Sequence, residues 1–360
     1  MGVRAICLQW RFRAYRVKYL HYLSSLLKQT DGKQTVKDIF KKDVNRYGHR
    51  HVRGYLSALW LSRLARYGGD LAAAWQGSFS KDTLQVVRVS QRYGARSLTQ
   101  ALTHLAEFHE RRDQLKKQII SILWPAFVAI IVLFAVFFLI PFVTVPELQR
   151  VFSLVPESYY GKYTSVLYTT AQWLRKYGWL LPFVLLLFVI SVWLSLSRFI
   201  GPFRKYLEKI EPWRSYRLLA GYRLLYMVHI LLSLTHLRLP LKDAVVALMD
   251  STNPWFRSQI VLIHNRMMQG YVGASSFSVG LLDEQDVWFL SDMAQGSDIA
   301  QACQKTATHL SKRFEQRLVV LSAVVRWVVL LLGVMTLLGI LFWHYQAFEE
   351  LRMGLMNTYI

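Results

Sequence analysis

The sequence predicts an all-α integral membrane protein in which three transmembrane helices connect two repeated cytosolic helical-bundle domains. Three features predict it. Apolar runs near bilayer-spanning length occur three times, the basic residues gather in the segments outside them, and short motifs of the first half return in the same order in the second. With 53% hydrophobic residues, yet 44 Lys+Arg against 22 Asp+Glu in 360 residues, the chain is both too apolar and too basic for an ordinary soluble domain. Charge and apolar surface must therefore occupy different segments.

Residues 1–118 form the first cytosolic helical domain and hold 23 of the Lys and Arg residues. Breaks at Asp31-Gly32, Gly48, Gly68-Gly69 and Gly94 divide it into five or six short helices, since glycine supplies the left-handed geometry at which helices end. Residues 1–10 are too short for the apolar core of a signal peptide and run into Arg11, Arg13, Arg16 and Lys18, so this domain is expected to stay on the side of its synthesis. From Leu98 onward Ala101, Leu102, Leu105, Phe108, Leu115 and Ile119 recur at helical spacing. That helix is expected to continue into the first span, 119–145, which contains no charged residue. At about 1.5 Å per residue the span exceeds roughly 30 Å of hydrocarbon, even with Pro125 and Pro141 near its ends.

An outer loop, 146–177, follows, and its aromatics Tyr159, Tyr160, Tyr163, Tyr168, Trp173 and Tyr177, with Trp179 just beyond, suit a headgroup boundary. The second span, 178–197, is minimal in length. Residues 198–317 form the second cytosolic domain, where Ile299, Cys303, Leu310, Phe314, Leu318 and Leu321 make another helical stripe. This stripe leads into the third span, 318–345 including its lead-in, and residues 346–360 form an outer tail. Nowhere does an alternating strand pattern of useful length occur. Orientation follows from the resistance of Lys and Arg to translocation. Arg111, Arg112, Lys116 and Lys117 precede the first span, Arg198, Arg204, Lys205 and Lys209 follow the second, and Lys312, Arg313 and Arg317 precede the third. All three clusters face the cytosol and outnumber Arg175 and Lys176 at the outer mouth of the second span.

The repeat rests on four matches. Tyr15-Arg-Val-Lys-Tyr19, with Arg16, returns as Tyr222-Arg-Leu-Leu-Tyr226, with Arg223. Val36-Lys-Asp38, with Lys37, returns as Leu241-Lys-Asp243, with Lys242, directly after Pro240. Leu98-Thr-Gln-Ala101 returns as Ile299-Ala-Gln-Ala302, each shortly after a glycine, Gly94 and Gly296. Each copy then leads through a polar helix into a span, as an ancestral duplication would leave it.

Two helical repeats ending in membrane spans, with a middle span returning the chain to the cytosol, resemble the type II secretion system F-domain family. These are the GspF/PilC-like inner-membrane platform proteins of type IV pili and type II secretion, and the resemblance covers residues 12–348. Family members carry a Gly-x-Pro-Leu turn and an Ala-Leu pair, which Leu239-Pro-Leu-Lys-Asp-Ala244 matches in part. They also carry Gly-Glu-x-x-Gly before the long helix. Here Ser90-Gln-Arg-Tyr-Gly94 and Asp292-Met-Ala-Gln-Gly296 keep only the final glycine, so nothing the family does with that carboxylate carries over. The segment that precedes the first repeat in larger members is nearly missing, and the chain resembles the shorter pilus-type members best. The resemblance implies a multi-pass protein of the bacterial inner (cytoplasmic) membrane with a cytosolic N-terminus and a periplasmic C-terminus. It further implies contact with a cytosolic hexameric assembly ATPase and with pilin or pseudopilin subunits, and homo-oligomerisation around a fibre axis.

The residues themselves offer no chemistry of catalysis. No Gly-x-x-x-x-Gly-Lys-Ser/Thr loop occurs, so an ATPase would be a separate polypeptide. His49-Arg-His51, His104 and His109 lack a His-Glu-x-x-His or Cys-x-x-Cys context and read as solvated helix faces, while Cys7 and Cys303 read as small hydrophobes. No catalytic residue, cofactor or metal ligand is assigned, and a non-enzymatic role is expected. With the third span proper set at Trp327 to Tyr345, after its lead-in, Arg326 sits at the cytosolic edge, where its guanidinium can snorkel to phosphate, and the first two spans hold no ionisable group. An alternative class, a small membrane permease or transporter scaffold subunit, would need polar residues lining the spans.

Net charge concentrates in the first domain, with 23 basic against 8 acidic residues over 1–117 and 15 against 10 over 198–317. Two uses stay open: holding the domain to anionic lipid, at about 1 kcal/mol per basic residue, or docking an acidic partner such as a cytosolic motor. Arg111, Arg112, Lys116, Lys117 and Arg326 are the candidate contacts. Nucleic-acid binding is not expected, because neither aromatic interleaving nor a helix-turn-helix signal is present.

Overall fold

The computed structural model describes residues 8, 9, 11–30, 33–153, 155, 156, 158, 160–201, 204–234, 239–250 and 253–358. Cys7, the break at Asp31-Gly32 and Tyr159 lie outside them. Among the described residues the fold is all-helical without a strand, apart from an isolated bridge between Gln76 and Phe79. In chain order the helices are α1 Arg16–Gln29, α2 Val36–Tyr47, α3 Val52–Arg66, α4 Leu71–Ala74, α5 Lys81–Arg92 and α6 Ala95–Leu139. After a π-turn at Ile140–Thr144 come α7 Val145–Val151, α8 Lys162–Tyr177, α9 Leu180–Arg198 and α10 Arg204–Leu207. The remainder are α11 Glu211–Ser233, α12 Leu241–Ala247, α13 Pro254–Met268, a 3-10 turn at Gly273–Phe277, α14 Glu284–Gly296 and α15 Ile299–Thr358.

Two compact units form. One comprises 1–116 and 195–315, the other 117–194 and 316–360, and the boundaries fall inside α6, α9 and α15. The first unit therefore gathers most of both segments read as cytosolic domains into a single body.

In its N-terminal half, local chemistry sets the helix ends. Thr35 and Asp38 close a capping box on α2, the Asp70 carboxylate accepts from the Ala73 N–H at 3.0 Å to start α4, and His51 Nδ1 accepts from the Arg53 N–H at 3.2 Å to start α3. Gly48, Gly68, Gly69 and Gly94 all take positive φ at the predicted breaks. Gly94, at φ 96°, turns the chain from α5 into α6, a geometry any Cβ would oppose. The core is aromatic: Phe12, Tyr19, Phe40, Trp60, Trp75 and Phe79 are all buried, with neighbouring ring centroids 4.7–6.5 Å apart. Trp60 donates its indole N–H to Ser78 Oγ at 3.1 Å, which lets so polar an edge sit in the centre.

The C-terminal half is built on α11, whose residues from Leu224 to Leu231 are all buried. Asn253 Oδ1 accepts from the Phe256 N–H to start α13, and the buried Asp286 in the first turn of α14 pairs with Arg313 on α15. Hydrogen bonds join the halves, from Ser97 Oγ to the Leu234 carbonyl at 2.8 Å and from Gln85 Nε2 to Asp250 Oδ2 at 3.0 Å.

The second unit carries the apolar runs. Two helical stretches, Ala95–Val151 and Ile299–Asn357, begin in the first unit and are long and apolar enough to cross a membrane. The pair Lys162–Tyr177 and Leu180–Leu196, bent by 62°, makes a third if it is one span. Large side chains along these runs stand in the open, such as Phe188 at 63% and Trp193 at 73% exposure, a surface that calls for lipid. Helix α6 passes through Pro125 without a break.

The region read as an outer loop is largely helical, and the tail continues α15 to Thr358. Ile140, Val145, Phe152, Val155, Leu167 and Ala171 form a core with Ala347 and Leu351 of that tail. Tyr168, expected at a headgroup boundary, is instead buried in this core and contacts Tyr160 edge-on at 5.4 Å. Glu350 ties the tail down by accepting from the Tyr163 and Thr164 N–H groups at 3.1 and 2.8 Å, at the start of α8. Arg175 also acquires a local role. In the π pattern the Pro141 carbonyl would accept from residue 146, but Pro146 has no N–H, and Arg175 Nε donates to it at 2.8 Å.

Candidate functional site

The first unit brings several of the sequence-derived candidates together where α5, α6 and α11 meet. Phe108 of α6 stacks on Tyr222 of α11 at 5.7 Å and lies 5.5 Å from Tyr226, whose hydroxyl donates to Glu107 at 3.3 Å. One turn along, Arg223 pairs with Asp82 of α5, which is 2% exposed, and lies 4.8 Å over the Phe256 ring. Burial lowers the Arg223 pKa to about 10. On the same stretch of α6, Arg111 donates to Ser311 Oγ at 3.3 Å and pairs with Glu315. The first and second halves of the unit are thus joined by ion pairs and stacked rings as well as by apolar packing.

Beside this seam lies a cationic cluster. Arg16 of α1 is lowered to about 10 by burial and by Arg112, and Arg112 and Lys116 are lowered chiefly by burial. Arg13 adds to the mutual repulsion, and Asp113 opposes it. His109 sits underneath, fully buried, with its Nε2 3.0 Å from Thr83 Oγ1. Burial, then Arg112, Arg16 and Lys116, hold His109 well below the ordinary imidazole range, so it is neutral. The reading of His109 as part of a solvated face is therefore corrected: apolar Phe108 precedes it and both turn inward. His49 and His51 are exposed and His104 half-buried.

The remaining candidates disperse. Tyr15 is exposed at the start of α1, whereas Tyr19 is buried among the core aromatics, where burial and then Asp43 push its phenol pKa up. Lys37 and Asp38 occupy the first turn of α2, and Lys242 and Asp243 the first turn of α12 after Pro240. Both Lys-Asp pairs thus stand at helix starts, where a carboxylate faces the positive end of the helix dipole. Bonds from Thr35 hold Asp38 below the usual carboxylate range. Gly94 has positive φ but Gly296 ends α14 without it. Lys117 and Arg326 belong to the second unit, and both are exposed. Cys303 is buried and its thiol is pushed up to about 12 by burial, as a small hydrophobe would be.

Sequence reading missed Asp82 and Asp286. Both stand in first turns of helices, where an acidic residue reads as dipole compensation, and nothing local signals their distant arginine partners. Chemically the seam offers fixed positive charge, stacked rings and a neutral histidine. Among the described residues no three of His, Cys, Asp and Glu converge to hold a metal ion. No protein-family model matches the chain, and no curated protein matches it.

Proposed function

We propose that this chain is a non-enzymatic inner-membrane platform protein for assembly of a type IV pilus or a type II secretion pseudopilus, coupling a cytosolic ATPase to insertion or extraction of pilin subunits. The observation that carries the reading is the order of elements in the first unit. A long-helix start, α6 or α15, follows a set of shorter helices twice over, and each continues into an apolar run. Helices α1, α2, α3 and α5 before α6 correspond in order to α11, α12, α13 and α14 before α15, with α4 at the place of the 3-10 turn. This correspondence supports the duplication.

It also bears on the number of spans. Residues 1–116 and 195–315 share one compact body, so an even number of crossings must separate them. If α6 crosses the bilayer once, the bent pair ending in α9 must return, which supports three spans with 146–177 on the far side. The basic clusters at the three span boundaries favour the cytosol for the first unit. The cationic cluster beside the seam then meets anionic lipid or an acidic motor, and movement imposed by that motor is passed along α6 and α15 toward the pilin subunits. Several copies would surround the fibre axis.

Co-purification tests this directly. Detergent-extracted protein from a piliated cell should bring down a cytosolic ATPase and pilin, and deletion of the gene should abolish the fibres. Normal fibres in the deletion strain would end the proposal.

A further inference from the structure

A groove of about 1410 Å³ opens in the first unit between α10, α11 and α13. Lys81, Lys209, Arg214 and Arg257 surround it, and Glu208 is its one lining carboxylate among the described residues. That carboxylate is already shared between Arg204 and Arg217, at 3.4 and 3.5 Å. Arg204 forms the floor. Its side chain is 4% exposed, its Nη1 donates to the Ser195 and Leu196 carbonyls at 3.1 Å, and its guanidinium lies 4.5 Å over the buried ring of Trp255. Its Nη2 is buried and has no hydrogen-bond partner among the described residues. A buried guanidinium with an N–H left unpaired leaves positive charge under the groove, and that charge favours an anion above it. Part of the wall is apolar: Ile200 is 55% and Leu262 46% exposed.

We propose that this groove binds the headgroup phosphate of an anionic phospholipid, with Lys209, Arg214 and Arg257 meeting the phosphate oxygens above the charged Arg204 floor and the Ile200–Leu262 wall meeting the apolar part of the same molecule. A free phosphate would use the charge but not that wall. Ile200 and Gly201 follow directly on the end of α9 at Arg198, which puts the groove beside a bilayer surface if α9 is a span. The proposal rests on that reading, and goes beyond it by assigning a discrete lipid site.

Native mass spectrometry of the full chain in a non-ionic detergent tests it, with phosphatidylglycerol or phosphatidylcholine added. Phosphatidylglycerol should stay bound under activation that strips phosphatidylcholine. The rim variant Lys209→Gln/Arg257→Gln, which leaves Arg204 in place, should weaken phosphatidylglycerol binding roughly fivefold per charge removed. The control Lys41→Gln/Arg46→Gln, on exposed positions of α2, should leave it unchanged. Equal retention of the two lipids, or equal loss in rim and control variants, overturns the proposal. So does displacement of phosphatidylglycerol by an acidic peptide at concentrations where glycerol phosphate has no effect, since the occupant would then be a protein. A chain that stays dissolved without detergent contradicts the membrane reading itself, whereas a detergent-requiring chain indifferent to lipid charge contradicts only the groove.

Discussion

Replacing Arg223 by Leu removes the cation opposite Asp82 while keeping apolar bulk beside Phe256. Asp82 is 2% exposed, so the variant strands a carboxylate in the interior. Breaking a buried pair in this way costs about 3–5 kcal/mol. The position of Asp82 in the first turn of α5 offsets roughly 0.3–1 kcal/mol of that through the helix dipole. For a unit of this size each kcal/mol moves the melting temperature by about 2–4 °C, giving a loss on the order of 10 °C. Thermal melts of detergent-purified protein, followed by tryptophan fluorescence, measure it. The double variant Arg223→Leu/Asp82→Leu should recover more than half of the loss, because two apolar groups can replace a buried pair nearly neutrally. A single variant that melts with the wild type, or a double variant in which the two losses add, refutes the reasoning.

Three further outcomes are expected. His109 is neutral in the fold because burial and Arg112 depress its pKa below 6.5. The unfolded chain then takes up a proton that the fold refuses as pH drops below about 6.5, and stability falls by roughly 1.4 kcal/mol per pH unit; His109→Gln should flatten that slope in denaturant titrations at pH 5–7. Glu350→Ala removes charge-assisted bonds to Tyr163 and Thr164 and should release the tail, seen as faster proteolysis after residue 346, at a loss of about 1.5–3 kcal/mol. Gly54→Ala places a methyl against the Gly48 carbonyl oxygen and should destabilise by about 1–3 kcal/mol, opposite in sign to the usual effect of glycine removal from a helix.

What the sequence made legible was local. Helical periodicity from Leu98 and from Ile299 located the two long helices, because their stripes bury Ala101, Leu105, Leu310 and Phe314. Glycine breaks at Gly48, Gly68-Gly69 and Gly94 were readable because positive φ is written into the residue type. Illegible features depend on partners remote in sequence. Arg223 reads as one basic residue among many until Asp82, 141 positions earlier, lies against it. The sequence reads 346–360 only as an outer tail, yet Ala347 and Leu351 face a core supplied by 140–171. His109 shares its polar character with the exposed His49 and His51, and only the packing of α5 against α6 separates them. Of the candidate residues, Arg111, Tyr222, Arg223 and Tyr226 belong to the seam and Arg16, Arg112 and Lys116 to the cationic cluster beside it, whereas Lys37, Asp38, Lys242 and Asp243 are explained by helix starts.

Reporter fusions after Ser158 and after Gln259, in otherwise full-length protein in cells, measure most directly whether the apolar helices thread a bilayer around one cytosolic body. Activity characteristic of the far side after Ser158 and of the cytosol after Gln259 is expected. Both reporters on one side would mean that the segment from α8 to α9 does not cross, and would contradict the platform arrangement.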